Sequence, residues 1–240
     1  MNRISRAKRF SPIAAFWLFL VVAGIVVLVV YLVNERGAAG QYAETKREWS
    51  LIGRAVSAED HVIGDPAALV EVIVYSSISC SNCRIFFERD LPRLQAAFGD
   101  ALVIAYRHNP IPELPNAQIQ EEASECVYRQ GGNEAFWRFV RALFPHARSA
   151  GATDVGYLAN VAAQAGVSAE AFTACIAAGG GAERVRVDAQ EAAVGGLNID
   201  PSFLLKSPNR AIVVKGNYYS QIYAGIEYLL NAEGEIADRP

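Results

Sequence analysis

The chain has 240 residues, 22 basic and 25 acidic, with a formal net charge of −3. Apolar and aromatic residues make up 52%, and there are four cysteines and three histidines. The length suffices for one domain with its own core, and the acidic surplus gives no reason to expect a nucleic-acid partner.

Residues 1–12 form a basic tail, with Arg3, Arg6, Lys8 and Arg9 and no acid. Ile13–Val33 then runs without a charge. As a helix it covers about 31 Å, enough to cross a bilayer core. Positive flanks stay on the cytoplasmic side, so residues 13–33 are expected to be a single-pass inner-membrane anchor. The N-terminus is then inside and the rest of the chain lies in the periplasm or outside. Trp17 and Tyr31 sit near the two ends, where aromatic rings favour the interface. A cleaved leader has an apolar core of about 7–15 residues and a small-residue site. This run is longer and Gly37-Ala38-Ala39 is a weak site, so the anchor is expected to be retained. The remainder holds 18 basic and 25 acidic residues, a net charge of −7.

Residues 34–58 read as a juxtamembrane linker, with partial helix over Ala43–Val56, and residues 59–240 as one domain. Leu69–Tyr75 is short and rich in β-branched residues, as a buried strand is. Cys80–Phe98 shows helical spacing through Ile85, Phe86, Leu91, Leu94 and Phe98, with a kink expected at Pro92. Ala101–Tyr106 is a second buried strand, and strand–helix–strand implies a parallel βαβ unit. A helical insert follows over about residues 111–195. Its apolar faces predict helices at Ala117–Arg129, Asn133–Phe144, Asp154–Ala165, Ala169–Ala177 and Glu183–Val194. Ser202–Lys206 and Ala211–Lys215 read as strands around a turn at Ser207-Pro208-Asn209. Ser220–Asn231 closes the chain as a helix.

The chemistry concentrates at Cys80-Ser81-Asn82-Cys83. The first sulfur lies where a strand gives way to a helix, and the unpaired N–H groups and dipole of a helix N-terminus stabilise a thiolate. A thiolate is the reactive species of thiol–disulfide exchange, and a second cysteine resolves the mixed disulfide. Half of a structural zinc site is the other use of such a pair, but it needs a second ligand pair. Cys126 and Cys175 are isolated in sequence and His61, His108 and His146 are scattered, so no metal is expected. Two unreactive buried cysteines are the remaining alternative.

The chain resembles the DsbA-like branch of the thioredoxin superfamily. The likeness runs from about Asp60 to Leu230 and rests on several motifs. These are Gly64-Asp65-Pro66, the segment Tyr75–Cys83, Leu91-Pro92, Tyr106-Arg107-His108-Asn109-Pro110, Ala135-Phe136-Trp137, and Gly196–Phe203. It implies an α/β thioredoxin-like fold with a helical insertion, here preceded by one transmembrane helix. It also implies that Pro201 is the family's cis-proline beside the CxxC, with Asp200 at the substrate groove. Some relatives pair two cysteines in the insert, which makes a structural Cys126–Cys175 disulfide the expectation and two free thiols the alternative. Three positions depart from the family pattern. Val74 stands where a buried carboxylate is common, Ser81-Asn82 lacks the histidine of strongly oxidising members, and Asp200 replaces a small or β-branched residue.

The function expected is therefore a membrane-anchored periplasmic protein thiol–disulfide oxidoreductase, with Cys80 as exposed nucleophile and Cys83 as buried resolving thiol. No cofactor or metal is called for. The expected partners are substrate proteins bearing thiols or disulfides and a membrane redox partner that resets the site. Direction follows from the dithiol–disulfide equilibrium, roughly 1.4 kcal/mol per 30 mV, which sequence leaves open between oxidase and isomerase or reductase. The alternative is a non-catalytic peptide-binding or thiol metallochaperone module.

Overall fold

The computed structural model of the chain describes residues 17–29, 53–114, 116–148 and 152–237. The chain divides into two units, residues 1–44 and 45–240. In the first, residues 17–29 are helical. The rest of the predicted span 13–33, the basic tail and most of the linker lie outside the described residues. Among the described residues no helix is long and apolar enough to cross a membrane.

The second unit is built on one five-stranded sheet. Its strands are β1 (His61–Gly64), β2 (Val70–Ser76), β3 (Leu102–His108), β4 (Ser202–Ser207) and β5 (Arg210–Lys215), in the order β1-β3-β2-β4-β5. β2 and β3 run parallel, and the β1–β3, β2–β4 and β4–β5 pairs are antiparallel. β3 is buried along its whole length and β2 nearly so, the pattern of strands covered on both faces. The hairpin β4–β5 turns at Pro208-Asn209, within a residue of the sequence reading.

β1 was absent from that reading, and the reason is its size. It is a four-residue edge strand, too short for alternation to show. Asn133 closes its free edge, accepting from the Val62 N–H at 2.9 Å and donating to the Val62 carbonyl at 2.8 Å. Gly64 ends the strand at φ +101°, where a Cβ would lie 2.4 Å from the Leu102 carbonyl oxygen.

The expected Cys80–Phe98 helix is three pieces: α1 (Ser81–Ile85), a π-helical turn (Phe86–Asp90) and α2 (Leu91–Phe98). The expected kink at Pro92 is corrected to a π turn before it. Pro92 stands in the first turn of α2, where no amide hydrogen is required, and the wider turn absorbs the mismatch. This segment joins β2 to β3 and lays Phe86 and Phe87 on one face of the sheet. Phe86 meets Phe203 there with ring centroids 4.7 Å apart.

The insert comprises α3 (Ala117–Leu143), α4 (Val155–Gln164), α5 (Ala169–Ala177) and α6 (Ala182–Val194). The two helices expected at 117–129 and 133–144 are one element kinked at Gly132, whose φ of 67° is open to glycine. Asp154 and Ser168 cap α4 and α5, accepting from Tyr157 N–H at 2.8 Å and Ala171 N–H at 3.3 Å. The final helix α7 (Tyr219–Ala237) runs beyond the expected Asn231. Cys126 on α3 and Cys175 on α5 are joined as a disulfide with Cα atoms 5.8 Å apart. Cys126 is buried and Cys175 half-buried.

Two polar clusters occupy opposite faces of β3. Arg107, on the α6 face, is buried between Asp60 (3.2 Å) and Glu191 (3.0 Å) and donates to the carbonyls of Arg54 (2.9 Å) and Ala55 (3.2 Å). Arg54 reaches Asp188 and Glu191, and Arg184 bridges Asp60 and Asp188. Residues 54–60 are thereby tied to the sheet and to α6. The second cluster lies on the α1 face and belongs to the site.

Candidate active site

β2 delivers the chain to the loop Ser77–Ser79, and Cys80 follows as the N-cap of α1. The Cys83 backbone N–H donates to the Cys80 sulfur at 3.0 Å. An orphan amide of the first helical turn therefore points at the first sulfur, the arrangement that lowers a thiol's pKa. No acid stands in that turn to oppose it. Cys80 and Cys83 form a disulfide with Cα atoms 5.2 Å apart. Cys83 is sealed, and Cys80, expected to be exposed, is only 6% accessible. The accessible edge opens on a cleft of about 400 Å³ lined by Ile78, Ser81, Arg84, Ile85, Phe144 and Arg148.

The Asp200–Pro201 peptide bond is cis, and the Asp200 carbonyl oxygen lies 3.5 Å from the Cys80 sulfur. The Asp200 side chain is held by Asn109, whose Nδ2 donates to Oδ1 at 2.9 Å. Burial pushes this carboxyl up to about 7; the Asn109 bond acts against the shift and the Glu121 charge adds to it. The two arginines close to the site in sequence are engaged elsewhere. Arg84 pairs with Glu88 at 2.9 Å, and Arg107 sits in the cluster on the other face of the sheet.

A buried polar cluster backs the loop, and sequence reasoning missed it. Glu121 of α3 accepts from Ile78 N–H at 2.6 Å and from Tyr106 Oη at 2.9 Å, and pairs with His108 Nδ1 at 2.7 Å. Its neighbour Gln120 accepts from the Ser79 hydroxyl at 2.7 Å. His108 Nε2 and His61 Nε2 both meet Glu125 Oε1, at 2.7 and 2.5 Å. Burial alone disfavours a charged His108, but its bonds to Glu121 and Glu125 outweigh that and raise its pKa to about 10. His61 moves the other way, since burial lowers its pKa more than Glu125 raises it. The cluster thus holds an imidazolium between two carboxylates with a neutral imidazole beside it.

The histidines read as scattered are not all so: His61 and His108 converge, and His146 stands apart from them. β1–β3 pairing places His61 opposite Tyr106, so His108, two residues on, shares its face. Without β1 that proximity had no signal. Glu121 and Glu125 carried one, an i,i+4 pair on a helix.

His61, His108 and Glu125 offer donors of types that bind zinc, within 4.8 Å of one another. Donors around a tetrahedral zinc stand roughly 3.3 Å apart. Here Glu125 Oε1 lies 2.5 and 2.7 Å from the two nitrogens, which is proton-sharing distance.

Solved structures share this architecture. Oxidised BdbD from Bacillus subtilis matches with a TM-score of 0.63 at 20% identity, over 75% of this chain and 100% of that one. Alpha-DsbA1 of Wolbachia pipientis gives 0.63 at 19%, over 77% and 96%. DsbA of Chlamydia trachomatis gives 0.62 at 16%, over 76% and 97%. The sheet order and the CxxC at a strand–helix junction define a thioredoxin-type fold with a helical insert. The thioredoxin family model matches residues 56–213, and the chain belongs to that family. Among curated proteins it is similar to Na(+)/H(+) antiporter NhaA 1 of Mycobacterium sp. (strain KMS), 30% identical over 149 residues, 61% of this chain and 23% of that protein. The corresponding protein of Mycolicibacterium gilvum (strain PYR-GCK) is 35% identical over 89 residues, 36% and 14%. The chain spans at most about a quarter of these relatives' length.

Proposed function

We propose that this is a membrane-anchored thiol–disulfide oxidoreductase whose domain faces the periplasm and exchanges disulfides with substrate proteins through Cys80 and Cys83. The observation that carries the reading is the asymmetry of the pair. Cys80 receives the helix amide and keeps an edge on a cleft, while Cys83 has no access to solvent. In the oxidising direction a substrate thiolate attacks Cys80 and expels the Cys83 thiolate. A second substrate thiolate then attacks the substrate sulfur of the mixed disulfide. Two electrons pass from substrate to enzyme, and the two protons the substrate thiols lose end on the enzyme thiols or in solvent. The reducing direction reverses these steps, and a membrane redox partner resets the pair. The backbone of Asp200, before Pro201, serves as the register point for an extended substrate peptide beside Cys80.

The Cys83→Ala variant is expected to accumulate mixed disulfides on Cys80, seen on non-reducing gels and by mass spectrometry. Cys80→Ala is expected to abolish insulin reduction and glutathione exchange. Normal exchange by Cys80→Ala would sink the assignment, and a wild-type domain inactive in both assays would favour a peptide-binding module. Anchoring rests on Ile13–Val33 and the basic tail before it. An alkaline phosphatase fusion after Ser57 is expected to be active and to stay with the membrane after carbonate washing. A soluble product starting near Ala39 would refute it.

A further inference from the structure

We propose that Glu121 is a positioning residue for this thiol chemistry: from the helical insert it holds the loop that presents Cys80, and its buried charge opposes the Cys80 thiolate. The inference rests on the functional reading above and concerns residues outside the CxxC.

Two adjacent side chains of α3 grip the two residues before Cys80. Glu121 takes the Ile78 amide and Gln120 takes the Ser79 hydroxyl. Gln120 is itself fixed, donating to the carbonyls of Ala147 (2.7 Å) and Ala152 (3.2 Å). Ile78 and Ser79 are buried, so this loop is held by α3 and not by solvent. A charged partner costs more to bury than a neutral one, so Glu121 is not explained by loop-holding alone.

The charged groups facing Glu121 come from each element packed on it. Tyr106 and His108 approach from β3, Glu125 from the next turn of α3, with His61 of β1 behind it, and Asp200 from the cis-proline loop. One imidazolium set against Glu121 and Glu125 leaves the cluster with a net negative charge. That charge sits at the site, on the Ile78 amide two residues before Cys80. A nearby negative charge disfavours a thiolate. Weakening the ionised dithiol favours the disulfide, so Glu121 makes the protein a weaker oxidant.

The test uses the full chain in detergent and three readouts: thiolate absorbance against pH, the equilibrium constant against glutathione, and the melting temperature. Glu121→Gln keeps an acceptor for Ile78 and removes the charge. It is expected to lower the Cys80 pKa and shift the equilibrium toward dithiol by about tenfold, equivalent to about 30 mV. Glu125→Gln lies farther from the loop and is expected to shift both in the same direction by less. A melting-temperature change with unaltered pKa and equilibrium constant in Glu121→Gln would leave Glu121 merely structural and overturn the proposal. If Glu121→Gln does not fold, Glu125→Gln decides, and an unchanged equilibrium constant there overturns it. A wild-type protein that exchanges no disulfides at all would instead fail the functional reading.

Discussion

At the scale of single residues, Asp200 is where structure most changes the chemistry read from sequence. The resemblance places Asp200 at the substrate groove beside the CxxC, which would set its carboxylate against the pair. Instead the backbone oxygen holds that place, and the side chain turns to Asn109 with its pKa raised to about 7. Its charge therefore depends on pH across the neutral range. Below about pH 6 it is mostly protonated and offers the thiolate no repulsion; above about pH 8 it is mostly ionised. Asp200→Thr is expected to match the wild-type reduction potential at pH 6 and exceed it at pH 8, measured against glutathione. A difference of equal size at both pH values would show that charge is not the cause. The signal for Asp200 was legible because it stands next to Pro201. Its partner Asn109 was visible only as part of a motif, because what joins them is tertiary.

At the scale of elements, what was legible was whatever repeats along the chain. β2, β3, β4, β5 and the insert helices follow from runs and helical faces of apolar residues. β1 and the π turn did not, since one is four residues long and the other has the composition of the helix around it. Missing β1 also hid the His61–His108 pair, so one short edge strand cost the reading a buried cluster. The disulfide between α3 and α5 spans 49 positions. Cross-linking a loop of that length contributes about 4 kcal/mol by restricting the unfolded chain. Replacing Cys126 and Cys175 together by Ala is expected to lower unfolding free energy by up to that amount in urea. The Cys80–Cys83 equilibrium with glutathione is expected to hold, because neither sulfur of the insert touches the CxxC loop. A shifted equilibrium would mean that the insert disulfide tunes the site.

At the scale of the whole molecule, the domain is tied through Arg107, which joins β3, α6 and residues 54–60. Arg107→Met removes a cation that the buried Asp60, the half-buried Glu191 and two carbonyls need. Breaking a buried pair from one side costs about 3–5 kcal/mol. The expected result is a large drop in urea midpoint with an unchanged slope; a drop under about 1 kcal/mol would place Asp60 and Glu191 in water after all.

These clusters also set the acidity the fold tolerates. Asp60 resists protonation: burial works against its charge, but Arg107, Ser57 and Arg184 prevail and bring its pKa from 3.8 down to about 2. Its contribution is complete above the unfolded value and is lost only as pH falls through 2. His108, raised from 6.5 to about 10, contributes fully below 6.5 and is lost as pH rises through 10. Asp200, raised from 3.8 to about 7, costs stability increasingly between those two values. The Asp60 term is constant from mild acid to mild alkali, and the His108 and Asp200 terms both favour mild acid. A melting-temperature profile is expected to peak between about pH 4 and 6.5, and a maximum at pH 8 or above would contradict it. The periplasmic placement proposed above, where the surroundings set the acidity, would be suited by a fold that is sturdiest on the sour side of neutral.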